Sequence, residues 1–136
     1  MLSGRARIAG VIGWPVAHSL SPRLHGFWLR HYGIDGAYIP LPVAPQDLEA
    51  VVKALPKLGF VGANVTIPHK ETVIACLDHV APLAQKVGAV NTLIVGDDGK
   101  ISGLSTDGFG FLASLSASQP GWQAAACSFP SGNCSA

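Results

Sequence analysis

Seven residues, Asn64-Val-Thr-Ile-Pro-His-Lys70, run an apolar strand pattern into a proline, a histidine and a lysine. A lysine at the mouth of a strand sits where burial would lower its pKa and ready it for proton transfer. The plainer alternative is a solvated lysine in a helix's first turn, although a cation there opposes the helix dipole. Asp107, just before Gly108, offers a partner: a carboxylate that holds the ammonium and accepts a substrate hydroxyl, or an ordinary helix cap. Ser19 and Ser21 are two apart, so in extended chain their hydroxyls share a side. Beside a helix N-terminus that pair suits a carboxylate or a phosphate; as a plain cap, Ser21 needs no ligand at all. Asn91 lies in the apolar run Ala89-Val-Asn-Thr-Leu-Ile-Val, where a buried amide must find partners, in a ligand or in a neighbouring loop. Thr66 completes the set, four residues before Lys70.

Other chemistries are poorly served. Gly108-Phe-Gly110-Phe-Leu-Ala113 fits the dinucleotide fingerprint, but no acidic residue lies downstream to hold a ribose and only 23 residues follow Ala113. The histidines, at 18, 25, 31, 69 and 79, show no metal spacing. No G-x-S-x-G nucleophile motif occurs.

The elements that must position these side chains follow from periodicity. Residues 7–12 read as a buried strand stopped by Gly13. Ser21 as N-cap and Pro22 in the first turn open a helix with the stripe Leu24, Phe27, Trp28 and Tyr32, ended by Gly33. Residues 37–43 read as a strand whose Pro40 and Pro42 put it at a sheet edge. Leu48, Val51, Val52 and Leu55 mark a second helix. A strand over 60–67, a helix over 69–77 and a helical turn or two over 83–87 follow. Strands at 89–95 and 100–104 are joined by Asp98-Gly99, a hairpin signal. A last helix starts over 109–115. This order predicts an α/β three-layer sandwich: a mostly parallel sheet with one antiparallel hairpin, and helices on both faces. Ligands in such sheets sit beyond the carboxyl ends of the strands, where the polar stations fall.

Length and composition bound the rest. The chain has 136 residues, about one domain. Charged residues make up 12% and the net charge is +1, so no basic stripe serves a nucleic acid. No apolar run is long enough to span a membrane, and the glycine- and proline-broken stretch after Arg5 and Arg7 reads better as a strand than as a signal peptide. Three cysteines without a C-x-x-C fit a reducing cytoplasm. Nothing in the composition sets an oligomeric state. After Asp107 no charged side chain occurs, and residues 116–136 lose all periodicity, which predicts an irregular tail.

Four stretches, taken in order, resemble one family. Val-Ile-Gly-Trp-Pro-Val-Ala-His-Ser-Leu-Ser-Pro-Arg-Leu-His-Gly (11–26), Gly-Ala-Asn-Val-Thr-Ile-Pro-His-Lys (62–70), Gly-Ala-Val-Asn-Thr-Leu (88–93) and Gly-Leu-Ser-Thr-Asp-Gly-Phe-Gly (103–110) are similar to the N-terminal, substrate-binding half of shikimate dehydrogenases. The resemblance implies NADP-linked interconversion of 3-dehydroshikimate and shikimate, in aromatic amino-acid biosynthesis. It implies that Ser19 and Ser21 grip the ring carboxylate, and that Thr66 and Asn91 bond the ring hydroxyls or the carboxylate. Lys70 and Asp107 would be the catalytic pair where the carbon changes oxidation state. Quinate is an alternative ligand, one hydroxyl richer.

The chain departs from the family twice. Ser105 stands where the family commonly has Asn, next to a retained Asp107. And after Gln119-Pro-Gly-Trp-Gln, where a nucleotide-binding domain should approach, the text turns to Cys127-Ser-Phe-Pro-Ser-Gly-Asn-Cys-Ser-Ala. The expectation is a substrate-binding domain over 1–115, a non-family tail over 116–136, no NADP-binding domain, and so a truncated or frame-shifted chain that alone binds shikimate or quinate without turning it over.

Overall fold

The computed structural model describes residues 2–122. These fall into two compact units, divided between Thr106 and Asp107. In the first, six strands form one sheet in the order β2-β1-β3-β5-β6-β4. They are β1 (Arg7–Gly13), β2 (Gly36–Pro42), β3 (Phe60–Val65), β4 (His79–Val80), β5 (Thr92–Val95) and β6 (Ile101–Leu104). β2, β1 and β3 run parallel, as do β4 and β6; β5 is antiparallel to both β3 and β6. The sheet is therefore mostly parallel, with the expected β5–β6 hairpin. Its turn closes through Gly99 at φ +77°, a conformation that suits glycine. β2 lies at the edge, as its prolines require.

The two faces are built differently. Ile8 and Ile12 of β1 point to the face covered by α2 (Leu48–Ala54) and by a 3-10 turn, Thr72–Cys76. There Ile12, Val52, Leu55, Val65, Val73 and Leu93 pack into a dry core, each at most 2% exposed. Ala9 points to the other face, toward α1 (Ser21–His31). No residue of α1 is buried. The stripe of Leu24, Phe27, Trp28 and Tyr32 is exposed, and the ring facing the sheet is His25, stacked on Tyr38.

Four expectations change. Ser21 is the first helical residue, not the cap: Leu20 holds the cap position, and no side chain caps the helix. The 69–77 segment is a five-residue 3-10 turn starting at Thr72; β-branched Thr72, Val73 and Ile74 disfavour a longer α-helix. Lys70 thus stands in a loop, and the objection that a cation opposes a helix dipole no longer applies to it. β4 escapes the sequence reading because two residues carry no period. Finally, Asn91 precedes β5 instead of lying inside it. The short helix α3 (Pro82–Val87) stops at Gly88, φ +71°, as read.

The second unit begins with α4 (Asp107–Ser118). Gly108 and Gly110 lie inside this helix, so the fingerprint-like glycines form no phosphate loop between strand and helix. The late cysteines, Cys127 and Cys134, and most of the expected tail lie outside the described residues.

Candidate functional site

The carboxyl ends of β1, β3 and β6 and the amino end of β5 meet at one rim of the sheet, as their directions require. Backbone bonds lock the loops there. Thr66 N–H donates to Ile12 O at 2.9 Å, and Trp14 N–H to Ile67 O at 3.1 Å. Val65 N–H donates to Asn91 O at 2.8 Å, Val90 N–H to Lys70 O at 2.8 Å, and Asn91 N–H to Leu104 O at 3.0 Å. Stretches far apart in sequence, 14–20, 66–70, 90–91 and 104–106, are thereby fixed against one another.

The side chains follow. Ser19 and Ser21 are half-buried, and Ser21 N–H donates to Ser19 Oγ at 3.3 Å. That bond takes a lone pair of Ser19 and leaves its hydroxyl proton to give. Thr66 packs its methyl on Gly13, where any side chain would put a Cβ 2.5 Å from Thr66 Cγ2. Lys70 is half-buried beside a hollow of about 280 Å³ lined with Ile67, Pro68 and Glu71. The larger hollows, about 560 and 720 Å³, flank α1 instead of the rim, so size alone does not mark the site.

Asn91 is 9% exposed and bonded to the neighbouring loop. Its Oδ1 accepts from Thr106 N–H at 3.1 Å and Thr92 Oγ1 at 3.0 Å, and its Nδ2 donates to Thr106 Oγ1 at 2.9 Å. Its amide holds the residue that precedes Asp107. Asp107 itself is exposed and opens α4, in the second unit. Of the six predicted residues, Ser19, Ser21, Thr66, Lys70 and Asn91 thus share the rim of the first unit.

Three residues at this rim were not singled out from sequence. His69 is 1% exposed, and its Nε2–H donates to Val43 O at 2.7 Å, tying the Lys70 loop to the end of β2. Tyr38 donates its hydroxyl to Asn64 Oδ1 at 2.7 Å. Asn64 Nδ2 in turn donates to Asn91 O at 3.3 Å. The one signal for Asn64 was its place two residues before Thr66, on the same side of an apolar strand. Burial pushes the Tyr38 hydroxyl up to about 12, a rise the nearby Ser21 hydroxyl opposes, and burial lowers His25.

An α/β domain with convergent hydroxyls, an amide and an ammonium beyond its strand ends has the build of a small-molecule-binding domain. The comparisons define which one. Residues 11–93 match the family described as the shikimate dehydrogenase substrate binding domain. A shikimate dehydrogenase (NADP(+)) of Paramagnetospirillum magneticum is 60% identical over 122 residues, covering 90% of this chain and 44% of that protein. The crystal structure of shikimate 5-dehydrogenase from Listeria monocytogenes, in complex with shikimate and NAD, superposes at a TM-score of 0.81 with 35% identity, over 86% of this chain and 40% of that one. A ligand-free 5-ketofructose reductase of a Gluconobacter strain reaches 0.81 with 34% identity, over 86% and 42%. The chain belongs to the shikimate dehydrogenase substrate-binding domain family, and it spans less than half the length of the curated relatives it matches. No helix among the described residues is long and apolar enough to cross a membrane.

Proposed function

We propose that this chain binds shikimate and 3-dehydroshikimate at the rim and serves their NADP-linked interconversion. The observation that carries the reading is the meeting of Ser19, Ser21, Thr66, Lys70 and Asn91, spread over 73 positions, at one edge of the sheet. Ser19 and Ser21 hold the carboxylate, with the α1 N-terminus adding partial positive charge. Thr66 and Asn91 bond ring hydroxyls. Lys70 moves a proton at the reacting oxygen, and Asp107 accepts the hydroxyl of the alcohol form; these two are the catalytic residues of this reading. NADP is assigned to a nucleotide-binding domain outside residues 1–115. The same reading places it in the cytoplasm. A neighbour that reduces 5-ketofructose keeps other polyols, quinate among them, on the list of ligands to be tried.

The test is a shikimate titration of the isotope-labelled chain, followed by its amide signals. Shifts should concentrate at Ser19, Ser21, Thr66, Lys70 and Asn91. Ser21→Ala should weaken binding about tenfold with no change in unfolding midpoint, the loss of one hydrogen bond to a charged group, whereas Lys70→Ala should leave affinity nearly unchanged. Shifts confined to α2 or the hairpin turn, or an unchanged affinity in Ser21→Ala, would remove the assignment.

A further inference from the structure

We infer that His69 is a positioning residue for Lys70: its buried ring fixes the lysine-bearing loop to the end of β2 and so sets where the ammonium meets the ligand. The inference rests on the shikimate-binding reading above.

Three observations carry it. First, His69 is the most deeply buried polar side chain among the described residues, at 1% exposed. A ring so withdrawn from water touches no ligand; it acts through what it holds. Second, the direction of its bond is determined. Val43 O has only lone pairs, so His69 Nε2 carries the proton of the 2.7 Å bond between them. Val43 N–H donates in turn to Gly13 O at 3.1 Å. The ring therefore ties the loop after β3 to the ends of both β2 and β1, although β2 and β3 are not neighbours in the sheet. Third, the bond falls where the loop needs it. Thr66 N–H to Ile12 O and Trp14 N–H to Ile67 O hold the start of the loop. Pro68 has no N–H to give, and His69 N–H turns back on Thr66 O at 3.0 Å, inside the loop itself. Past that point the His69 ring holds the chain before Lys70. The Lys70 carbonyl, accepting from Val90 N–H at 2.8 Å, holds it after. The lysine stem is long and flexible, so a backbone fixed on both sides is what confines its ammonium. Thr66 keeps its own anchor on β1 and does not depend on His69.

A ring that only fills space would make His69 matter for stability alone, and the reactivity of Lys70 separates the two. Lysines of the full 136-residue chain are methylated with formaldehyde and a borane, with and without shikimate, and each site is followed by mass spectrometry. Calorimetry gives the affinity of each variant. At about ten times Kd, about one site in eleven is free, so a ligand lying over Lys70 should slow its methylation about tenfold in wild type. Lys53 and Lys100, exposed and paired with Glu49 and Asp98, should react equally with and without shikimate. His69→Phe keeps a ring and removes the donor. At ten times its own Kd, protection of Lys70 should fall below about twofold, although shikimate still binds through Ser19, Ser21 and Thr66. His69→Gln, which keeps an N–H at similar reach, should restore the protection. Nitrogen NMR of the wild type should show a protonated His69 Nε2, a result that does not depend on how any variant folds. Full protection in His69→Phe, an equal loss in His69→Gln, or a bare Nε2 overturns the inference and leaves the binding reading standing. No shikimate binding by the wild type, or an unprotected Lys70 in its saturated form, overturns both.

Discussion

The two faces of the sheet use the same strands for opposite ends. On the α2 face, Ile12, Val52, Leu55, Val73 and Leu93 are almost completely withdrawn from water. On the α1 face no helical residue is buried; His25 stacks on Tyr38, and Leu29 reaches the Gly36 end of β2. One face is close-packed hydrocarbon, which sets stability. The other mixes apolar and polar groups and is only partly withdrawn from water, and it leads to the rim that holds Ser21. The lesson is that binding residues need not rest on the core: they can be held by a second, hydrogen-bonded layer whose geometry matters more than its buried area.

The contrast breaks most readily on a single residue type. Leu55→Ala removes a side chain 1% exposed in the dry face and should cost about 2–5 kcal/mol in urea unfolding. Leu24→Ala removes one 48% exposed on α1 and should stay within about 0.5 kcal/mol. Equal losses would show that α1 is as tightly packed as α2.

Alkaline titration gives a smaller effect. Burial favours the neutral phenol of Tyr38 in the folded chain, raising it from 10.0 to about 12. Between those values the unfolded chain has released the proton and the folded chain has not, so this stability contribution, fully present below pH 10, is lost as pH rises toward 12. Wild type should therefore lose more stability than Tyr38→Phe between pH 9 and 11.5. Identical losses would mean that the phenol is solvated.

The smallest effect lies on the acid side. His25 is lowered by burial, so the unfolded chain binds its proton first as pH falls. Its contribution is present above the ordinary histidine value of 6.5 and is lost as pH falls through the lower folded value. The His25 ring signal should titrate at lower pH than that of a histidine in the urea-unfolded chain. Coincident titrations would place His25 in water.

Much of this was legible in the chain. Alternation and turn residues gave β1, β2, β3, β6, α2 and the hairpin, because one strongly apolar face imposes its period on each segment. The prolines of β2 announced an edge. The 3-10 turn after Lys70 was read as a helix because apolar spacing over so few residues does not distinguish the two, and β4 was missed because two residues carry no period. The stripe on α1 was read correctly as helical, but its spacing says nothing about which way it faces, and it faces out. Asn91 stood open between ligand and loop; its bonds to Thr106 supply the loop partner.

By itself, then, the sequence determined which segments are strands, where the chain turns, and which hydroxyls, amide and ammonium lie next to strand ends, because those are matters of local period and chain direction. Only the tertiary structure decided that Tyr38 of an edge strand reaches Asn64 past β1, that His69 is spent on Val43, and that β5 comes between β3 and β6. These depend on strand order and register, which bring together residues tens of positions apart, and no local pattern encodes that distance.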